Sequence, residues 1–269
     1  MVDISFIILT WNSYRFLTKC FSSIIEKCQD ENLTFEIIVV DNGSTDESQT
    51  VFSAFKAEYP DQFMVEYLGR NTGTTYSRNI GINKSKGQTL CILDSDTELH
   101  EGNLADIIDR LREQKDLGLI IPQLFLQDKT IQNSVKKFPT FWHKLLKIPQ
   151  VALGLKSPNK DFYSDFPFEQ EKLVDTAISA CWFFRRELVD SVGYLDEKIF
   201  YSPEDLDFCV RVRKAGLKIL YWPAMRVFHD TQHISHKKPF SKVSRSHFVG
   251  LIYYFRKHGG WFSNSHLYS

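Results

Sequence analysis

The first 126 residues alternate between short apolar runs and segments whose apolar side chains recur every three or four positions. Continuous apolar runs occupy residues 4–9, 35–40 and 89–93, and a helical period of apolar residues lies between the first two, at 16–25. A continuous run is typical of a strand covered on both faces, and the longer period is typical of a helix with one buried side. The alternation therefore predicts an α/β fold with a mostly parallel sheet flanked by helices.

The same patterns predict further elements. Additional strands are expected at 63–68, 118–126, 173–185, 217–222 and 225–229, and helices at 46–59, 74–84, 104–111 and 241–258. Another helix is predicted to begin with Ser202 as its N-cap and Pro203 as its first residue, followed by acidic residues in the first turn. Four prolines among many aromatic residues predict loops and short helices over 127–170.

Composition narrows the function classes. Lys+Arg and Asp+Glu are equal at 33 each, which excludes the strong basic excess of a broad nucleic-acid binder. No apolar run reaches the roughly 18 residues of a spanning helix, and residues 2–9 are interpreted as a strand and not as a signal peptide. The chain is therefore predicted to be cytoplasmic. Its five cysteines have no metal-ligand spacing and are predicted to be buried free thiols.

Polar residues follow the predicted parallel strands at their carboxyl ends, where open α/β sheets bind ligands. The first strand ends at Thr10, the second at Asp41 and the fourth at Asp94-Ser95-Asp96. Two carboxylates one residue apart can hold a divalent cation, which could bridge to a diphosphate. A polar turn after Asp94 and an Asx-type turn at Asp41 are the structural alternatives.

Several common motifs are missing from the sequence. There is no GxxxxGK[ST] phosphate loop, and no GxGxxG follows the first strand. A GxSxG nucleophile elbow is missing as well. The sequence therefore does not support a P-loop enzyme, a dinucleotide-binding enzyme or an α/β-hydrolase.

Seven segments, in one order along the chain, carry a family resemblance. They are SFIILTWN at 5–12, EIIVVDNGSTD at 36–46, NTGTTYSRNIG at 71–81, ILDSDTEL at 92–99, SACWFFRRELVDSVGYLDE at 179–197, SPEDLDFCVRVRKAG at 202–216 and RVFHD at 226–230. With these segments the chain resembles glycosyltransferase family 2, and within it the bacterial rhamnosyltransferase-like branch. It departs from the usual family pattern at Ser77, where Ala is common, and at Ser179, where Gly is common.

The resemblance implies a fold and an activity. The fold would be GT-A, a Rossmann-like and mostly parallel sheet flanked by helices, over residues 1–235. Residues 1–126 would bind the nucleotide sugar, 127–235 would bind the acceptor, and 236–269 would form a C-terminal helical extension. The expected reaction is an inverting, metal-dependent transfer from a nucleotide-diphosphate sugar (dTDP-rhamnose or a UDP-sugar) to a hydroxyl of a glycan or lipid-linked acceptor. Cell-surface polysaccharide synthesis is the expected setting.

The resemblance also implies roles for individual residues. Asp205 would be the catalytic base, and Glu204 and Trp182 would contact the acceptor. Asp96 and His229 would bind Mn²⁺ or Mg²⁺. Nucleotide-sugar contacts would come from Thr10, Asn12, Asp41, Asn71, Arg78, Asp94 and Ser95. Structural alternatives remain open: Trp182 could be a core residue, His229 a hydrogen-bonded residue at a strand end, and the two acids favourable charges at a helix start.

Two other functions and one surface interaction also follow from the sequence. A metal-dependent nucleotidyltransferase is one alternative, although its Gly-rich basic loop is missing after the first strand. A non-catalytic sugar-binding module is the other, and it would not need Asp96, Asp205 and His229 together. The C-terminal segment interleaves basic and aromatic residues, which predicts peripheral contact with the inner face of the membrane unless the helix packs on the domain. These residues are Lys237, Lys238, Phe240, Lys242, Arg245, Phe248, Tyr253, Arg256, Lys257, Trp261 and Phe262.

Overall fold

The apolar runs of the sequence form the strands of one central sheet. The structure is a computed structural model, and it describes residues 2–142, 144–145, 161–163, 165–230 and 242–267. Its strands are β1 (Ile4–Thr10), β2 (Phe35–Asp41), β3 (Phe63–Tyr67), β4 (Thr89–Asp94), β5 (Thr97–Glu101), β6 (Leu117–Phe125), β7 (Ile131–Gln132), β8 (Val135–Lys136), β9 (Lys172–Leu173), β10 (Thr176–Ala177), β11 (Cys181–Arg185) and β12 (Lys218–His229).

The main sheet has the order β3-β2-β1-β4-β11-β6-β12-β5. Six of these strands run in one direction, whereas β11 and β5 run against their neighbours. The sheet is therefore mixed and mostly parallel, which confirms the predicted fold class. Thr10 pairs with Asp41, and Leu9 pairs with Asp94, so three strands end at the same edge.

Helices cover both faces of the sheet. They are α1 (Tyr14–Asp30), α2 (Ser48–Glu58), α3 (Thr74–Lys84), α4 (Leu104–Glu113), α5 (Glu187–Val192), α6 (Glu204–Lys214) and α7 (Lys242–His258). Along β1, Phe6 and Ile8 join one hydrophobic cluster with α1, while Ile7 joins a second cluster with α6 on the opposite face. This period of two explains why β1 is almost entirely apolar, since both of its faces are covered.

Three predictions about the elements are wrong. The single strand predicted at 173–185 is three strands, because β9 pairs with β12, β10 with β8, and β11 with β4 and β6. The two strands predicted at 217–222 and 225–229 are one strand, β12, whose register shifts between Trp222 and Arg226. Pro223 lies in this shift, where a residue without an N–H group interrupts the ladder but not the strand. The N-cap of α6 is Pro203 and not Ser202.

The C-terminal helix is part of the folded domain. Tyr254 and Phe255 of α7 are buried in the second hydrophobic cluster, and Phe255 packs edge-on against Phe141 at 5.4 Å. Lys237, Lys238, Phe240 and the side chain of Lys242 lie outside the described residues. Among the helices that the structure describes, none combines the length and the apolar character needed to cross a membrane.

The cysteines agree with the prediction. All five are buried and free, and they are Cys20, Cys28, Cys91, Cys181 and Cys209. Burial raises the pKa of the Cys209 thiol to about 12, so this group stays protonated and behaves as a small apolar side chain.

Candidate active site

The strand ends bring a group of metal-binding side chains together. Asp94 ends β4, Asp96 lies in the turn that follows, and β5 then pairs with β12 so that Thr97 is opposite His229. This pairing places one ligand atom each of Asp94, Asp96 and His229 within 4.8 Å of one another. The predicted metal site is thus assembled by residues more than 130 positions apart in sequence, joined through an antiparallel pair.

A second contact orients the histidine. His229 Nδ1 lies 2.8 Å from Oε1 of Gln132, and its Nε2 lies 3.5 Å from Oδ1 of Asp96. When Nδ1 donates to the glutamine, the lone pair of Nε2 faces the carboxylates. Outer hydrogen bonds of this kind are how proteins fix metal-binding histidines.

The electrostatics of the cluster favour a cation. Burial raises the pKa of Asp96, His229 lowers it in part, and the charge of Asp94 raises it again. Burial lowers the pKa of His229, but the hydrogen bond and charge of Asp96 outweigh burial, and the net pKa is raised. Two carboxylates and an imidazole in this setting fit a divalent metal, whose charge would replace the shared protons. A mixed oxygen and nitrogen set is compatible with Mn²⁺ or Mg²⁺.

Arg78 lies beneath this cluster and links it to the start of α6. Its buried guanidinium donates from Nη2 to Asp94 Oδ1 at 2.6 Å and from Nη1 to Glu204 Oε1 at 3.2 Å. Nη1 also donates to the hydroxyl of Ser179 at 2.8 Å, which in turn donates to Glu204 Oε1 at 2.9 Å. Arg78 therefore pairs with two acidic side chains of the protein, and it holds Asp94 in place beside Asp96.

The adjacent acids at the start of α6 have different surroundings. Burial raises the pKa of Glu204 to about 7, the charge of Asp205 adds to this, and Arg78 opposes it. Asp205 accepts a hydrogen bond from the backbone N–H of Leu206 at 2.8 Å, and it lines a separate pocket with Lys136. The two carboxylates therefore face different neighbours, although they are consecutive in sequence.

A larger cavity lies at the end of β2. It has a volume of about 430 Å³, and it is lined by Asp41, Gly43, Ser44, Thr45, Gln49, Tyr67 and Gly69. The backbone N–H of Ser44 donates to Asp41, which is buried, while the ring of Tyr67 is half exposed. A fixed carboxylate can accept hydrogen bonds from a nucleobase, and an exposed aromatic ring can stack on the same base. The volume falls within the range of small-molecule sites.

The remaining predicted nucleotide-sugar residues shape the loops around this cavity. Asn12 Oδ1 accepts from the backbone N–H of Thr45 at 2.7 Å, which ties the loop after β1 to the loop after β2. Asn71 Oδ1 accepts from the backbone N–H of Gly73 at 3.0 Å. The Ser95 hydroxyl donates to Ser13 at 2.9 Å. Thr10 is buried at the end of β1, where its backbone carbonyl accepts from the N–H of Asn42.

Trp182 lies in the core. Its side chain has no exposed surface, and its ring stacks on Phe208 with centroids 5.6 Å apart. The predicted acceptor contact is therefore corrected to the structural alternative, because a side chain enclosed in the core cannot touch an acceptor. Contacts of Tyr67, Gln132 and Ser179 with the site were not predicted. In the sequence, Ser179 is marked by its departure from the family pattern, and no motif marks Tyr67 or Gln132.

Comparison with known proteins identifies the family. The model of "Glycosyl transferase family 2" matches residues 5–193. The chain belongs to glycosyltransferase family 2. It is therefore a glycosyltransferase, and the family expected from the sequence is confirmed.

Relatives within the family have carbohydrate-related names. The chain is 24% identical over 237 residues to the N-acetylglucosaminyl-diphospho-decaprenol L-rhamnosyltransferase of Mycobacterium tuberculosis, covering 84% of this chain and 76% of that protein. It is 23% identical over 232 residues to the low-salt glycan biosynthesis hexosyltransferase Agl10 of Haloferax volcanii, covering 85% of this chain and 67% of that protein.

Solved structures share the fold. GalNAc-T7, determined with UDP, GalNAc and Mn²⁺, gives a TM-score of 0.70 at 17% identity, covering 95% of this chain and 48% of that one. TarS 1–349 of S. aureus in complex with UDP-GlcNAc gives a TM-score of 0.58 at 19% identity, covering 87% and 60%. This chain thus spans about half the length of GalNAc-T7. At these identities the comparison shows the GT-A fold alone.

Proposed function

We propose that this chain is an inverting, metal-dependent glycosyltransferase that moves a sugar from a nucleotide-diphosphate donor to the hydroxyl of a glycan or lipid-linked acceptor. One observation carries the proposal. The cluster of Asp94, Asp96 and His229 and the cavity lined by Asp41 and Tyr67 both lie at the sheet edge where β1, β2 and β4 end. A nucleoside diphosphate has a base at one end and a diphosphate at the other. The cavity at Asp41 and Tyr67 suits the base, and the Asp94, Asp96 and His229 cluster suits a metal that binds the diphosphate.

On the donor side, each residue has a separate task. Asp41 accepts hydrogen bonds from the base, and Tyr67 supplies a stacking surface. Arg78 binds Asp94 at 2.6 Å and orients it toward the donor sugar or ribose. Asp96 and His229 would hold Mn²⁺ or Mg²⁺, which when bound would neutralise charge on the leaving diphosphate.

On the acceptor side, Asp205 is the proposed base. An acceptor hydroxyl must lose its proton as it attacks the anomeric carbon, so a carboxylate must lie beside it. Asp205 lines a pocket of its own, whereas Glu204 is engaged by Arg78 and Ser179. In the proposed inverting reaction this carboxylate would take the proton on the face of the sugar opposite the leaving group.

Donor, acceptor and location are parts of the same proposal. The rhamnosyltransferase name of the mycobacterial relative supports dTDP-rhamnose and a lipid-linked acceptor, and the UDP-GlcNAc complex of TarS supports a UDP-sugar. The proposed location is the cytoplasm, at the inner face of the membrane, in polysaccharide synthesis. The exposed Phe248 and Phe262, together with the exposed Arg245 and Arg256, support such a contact.

The test is the release of nucleoside diphosphate from dTDP-rhamnose and from UDP-sugars by the purified protein. Mn²⁺ or Mg²⁺ should support release, and excess EDTA should abolish it. Asp205→Asn should lower turnover with acceptor by about 10²-fold or more, whereas the exposed control Asp190→Asn should not. Wild-type turnover by Asp205→Asn would refute the assignment of the base. Release of pyrophosphate from nucleoside triphosphates would instead indicate a nucleotidyltransferase.

A further inference from the structure

Another cavity lies at β5, the last strand in the order of the main sheet. Its volume is about 160 Å³, and its walls are formed by His100, Glu101, Phe125, Lys129, Arg226 and Phe228. These residues are distinct from the cluster of Asp94, Asp96 and His229 and from the lining of the cavity at Asp41. A volume below the roughly 300–1,000 Å³ of drug-sized sites suits a single ring with its substituents.

Strand pairing builds this cavity. Arg226 of β12 is paired with Glu101 of β5, and Phe228 of β12 is paired with Phe125 of β6. Val227, which lies between them on β12, belongs to the first hydrophobic cluster. Because side chains alternate between the two faces of a strand, the cavity lies on the face of the sheet opposite that cluster. Its walls are therefore fixed mainly by three paired strands.

Three rings supply the apolar wall of the cavity. The ring centroids of Phe228 and His100 are 4.6 Å apart with the planes tilted by 45°, and those of Phe228 and Phe125 are 6.2 Å apart at 62°. The two phenylalanines are half-buried, and His100 is exposed. Angled rings of this kind present an apolar surface to a ligand that has C–H groups on one side.

The charges at the cavity are balanced. Arg226 Nη1 lies 2.8 Å from Glu101 Oε2, and its Nη2 lies 3.7 Å from Glu169 Oε2. With Lys129, two cations are thus matched by two carboxylates, and no net charge attracts an ion. The same groups offer hydrogen-bond donors and acceptors, which a wholly apolar ligand would cover without replacing their hydration. The ligand that fits is neutral, rich in hydroxyls and apolar on one face.

We infer that this cavity binds one neutral sugar ring of a glycan, with the C–H face of the sugar against the rings of Phe228 and His100. The hydroxyls of the sugar exchange hydrogen bonds with Glu101 and Arg226. This inference goes beyond the proposed transfer, because the cavity is separate from the donor cavity and from Asp205. The site holds a glycan at the last strand of the sheet and takes no part in the chemistry.

Binding of three sugar probes tests the site. The affinity of the full chain for methyl glucoside, glucuronate and glucosamine is measured by ligand-observed NMR in excess EDTA. Neutral methyl glucoside should bind with a dissociation constant of about 1 mM, and neither charged probe should bind more tightly. Phe228→Leu keeps an apolar side chain but removes the ring, and it should weaken methyl glucoside by about fivefold or more. Phe262→Leu, at an 82% exposed position outside the cavity, is the matched control and should bind like wild type.

A second variant keeps the test independent of packing around Phe228. The side chain of His100 is 46% exposed, so His100→Ala removes a ring from the cavity while leaving the core intact. It should weaken methyl glucoside by about threefold or more. Equal affinities of wild type and both variants would overturn the inference, as would a tenfold preference for glucuronate. Release of nucleoside diphosphate from nucleotide sugars tests the proposed function separately, because it uses none of these probes.

Discussion

Asp207 provides a sharp test of how the C-terminal helix supports the site. Its side chain is 1% exposed and lies on α6, three residues after Glu204. It accepts from His258 Nε2 and Lys257 Nζ of α7, each at 2.7 Å, and from Arg211 Nε at 2.9 Å. This carboxylate therefore joins α7 to the helix that begins with the two acids of the site. Asp207→Asn would keep the shape of the side chain but remove its charge and one acceptor atom.

The magnitude follows from the pKa of Asp207. Burial raises this pKa, but the opposing effects of His258, Arg211 and Lys257 are larger together. The net pKa of Asp207 is therefore lowered from 3.8 to about 2. At about 1.4 kcal/mol for each pKa unit, the ionised form stabilises the fold by about 2 kcal/mol. Because the pKa is depressed in the folded state, this contribution is present above pH 3.8 and is lost as the pH falls toward 2.

Urea unfolding at pH 7 and at pH 3 measures this contribution. Asp207→Asn should lower the free energy of unfolding by about 2 kcal/mol at pH 7, and by clearly less at pH 3. Asp190→Asn, at an exposed position on α5, is the control and should change it by less than about 0.5 kcal/mol. An unchanged urea midpoint at pH 7, or the same loss at both pH values, would refute the reasoning.

Three further predictions follow from the site. Asp96→Asn should weaken Mn²⁺ binding by about tenfold or more in calorimetry; equal affinity would place the metal elsewhere. Asp41→Ala should raise the dissociation constant of free UDP and dTDP, because a base contact is lost, and an unchanged constant would contradict this role. Gly73→Ala should destabilise the protein by more than about 2 kcal/mol in thermal melting, because Gly73 has φ +92 and a Cβ would lie 2.3 Å from the carbonyl oxygen of Phe200; wild-type stability would contradict it.

Much of the sheet could be predicted because its central strands are covered on both faces. β1, β2 and β4 are almost entirely apolar, and a continuous apolar run is a strong signal. β5 has the sequence TELHE with one apolar residue, and it is held by its pairing with β12. The three strands within 172–185 are separate only because their pairing partners differ. Such pairings are not local, so the periodicity of the segment does not contain them.

The sequence predicts the residues of the site that lie at strand ends, but it does not predict the contacts that Arg78 makes with distant segments. Asp41 and Asp94 could be placed together because parallel strands finish at one edge. The bonds of Arg78 to Ser179 and Glu204 join residues 101 and 126 positions apart, from α3 to the start of α6. They depend on how α3, α6 and the loop before β11 are placed on one face of the sheet, which neither charge pattern nor spacing encodes.

The two consecutive acids show why the number of donors around a carboxylate matters as much as its pKa. A pKa of about 7 would by itself suit Glu204 as a general base. Its Oε1, however, accepts from Arg78 and Ser179, which ties this carboxyl group to the network that holds Asp94. Asp205 lines the separate pocket, and its Oδ1 accepts from the backbone N–H of Leu206. Asp205 therefore remains the proposed base, and Glu204 is the carboxyl group that binds Arg78 on the side opposite Asp94.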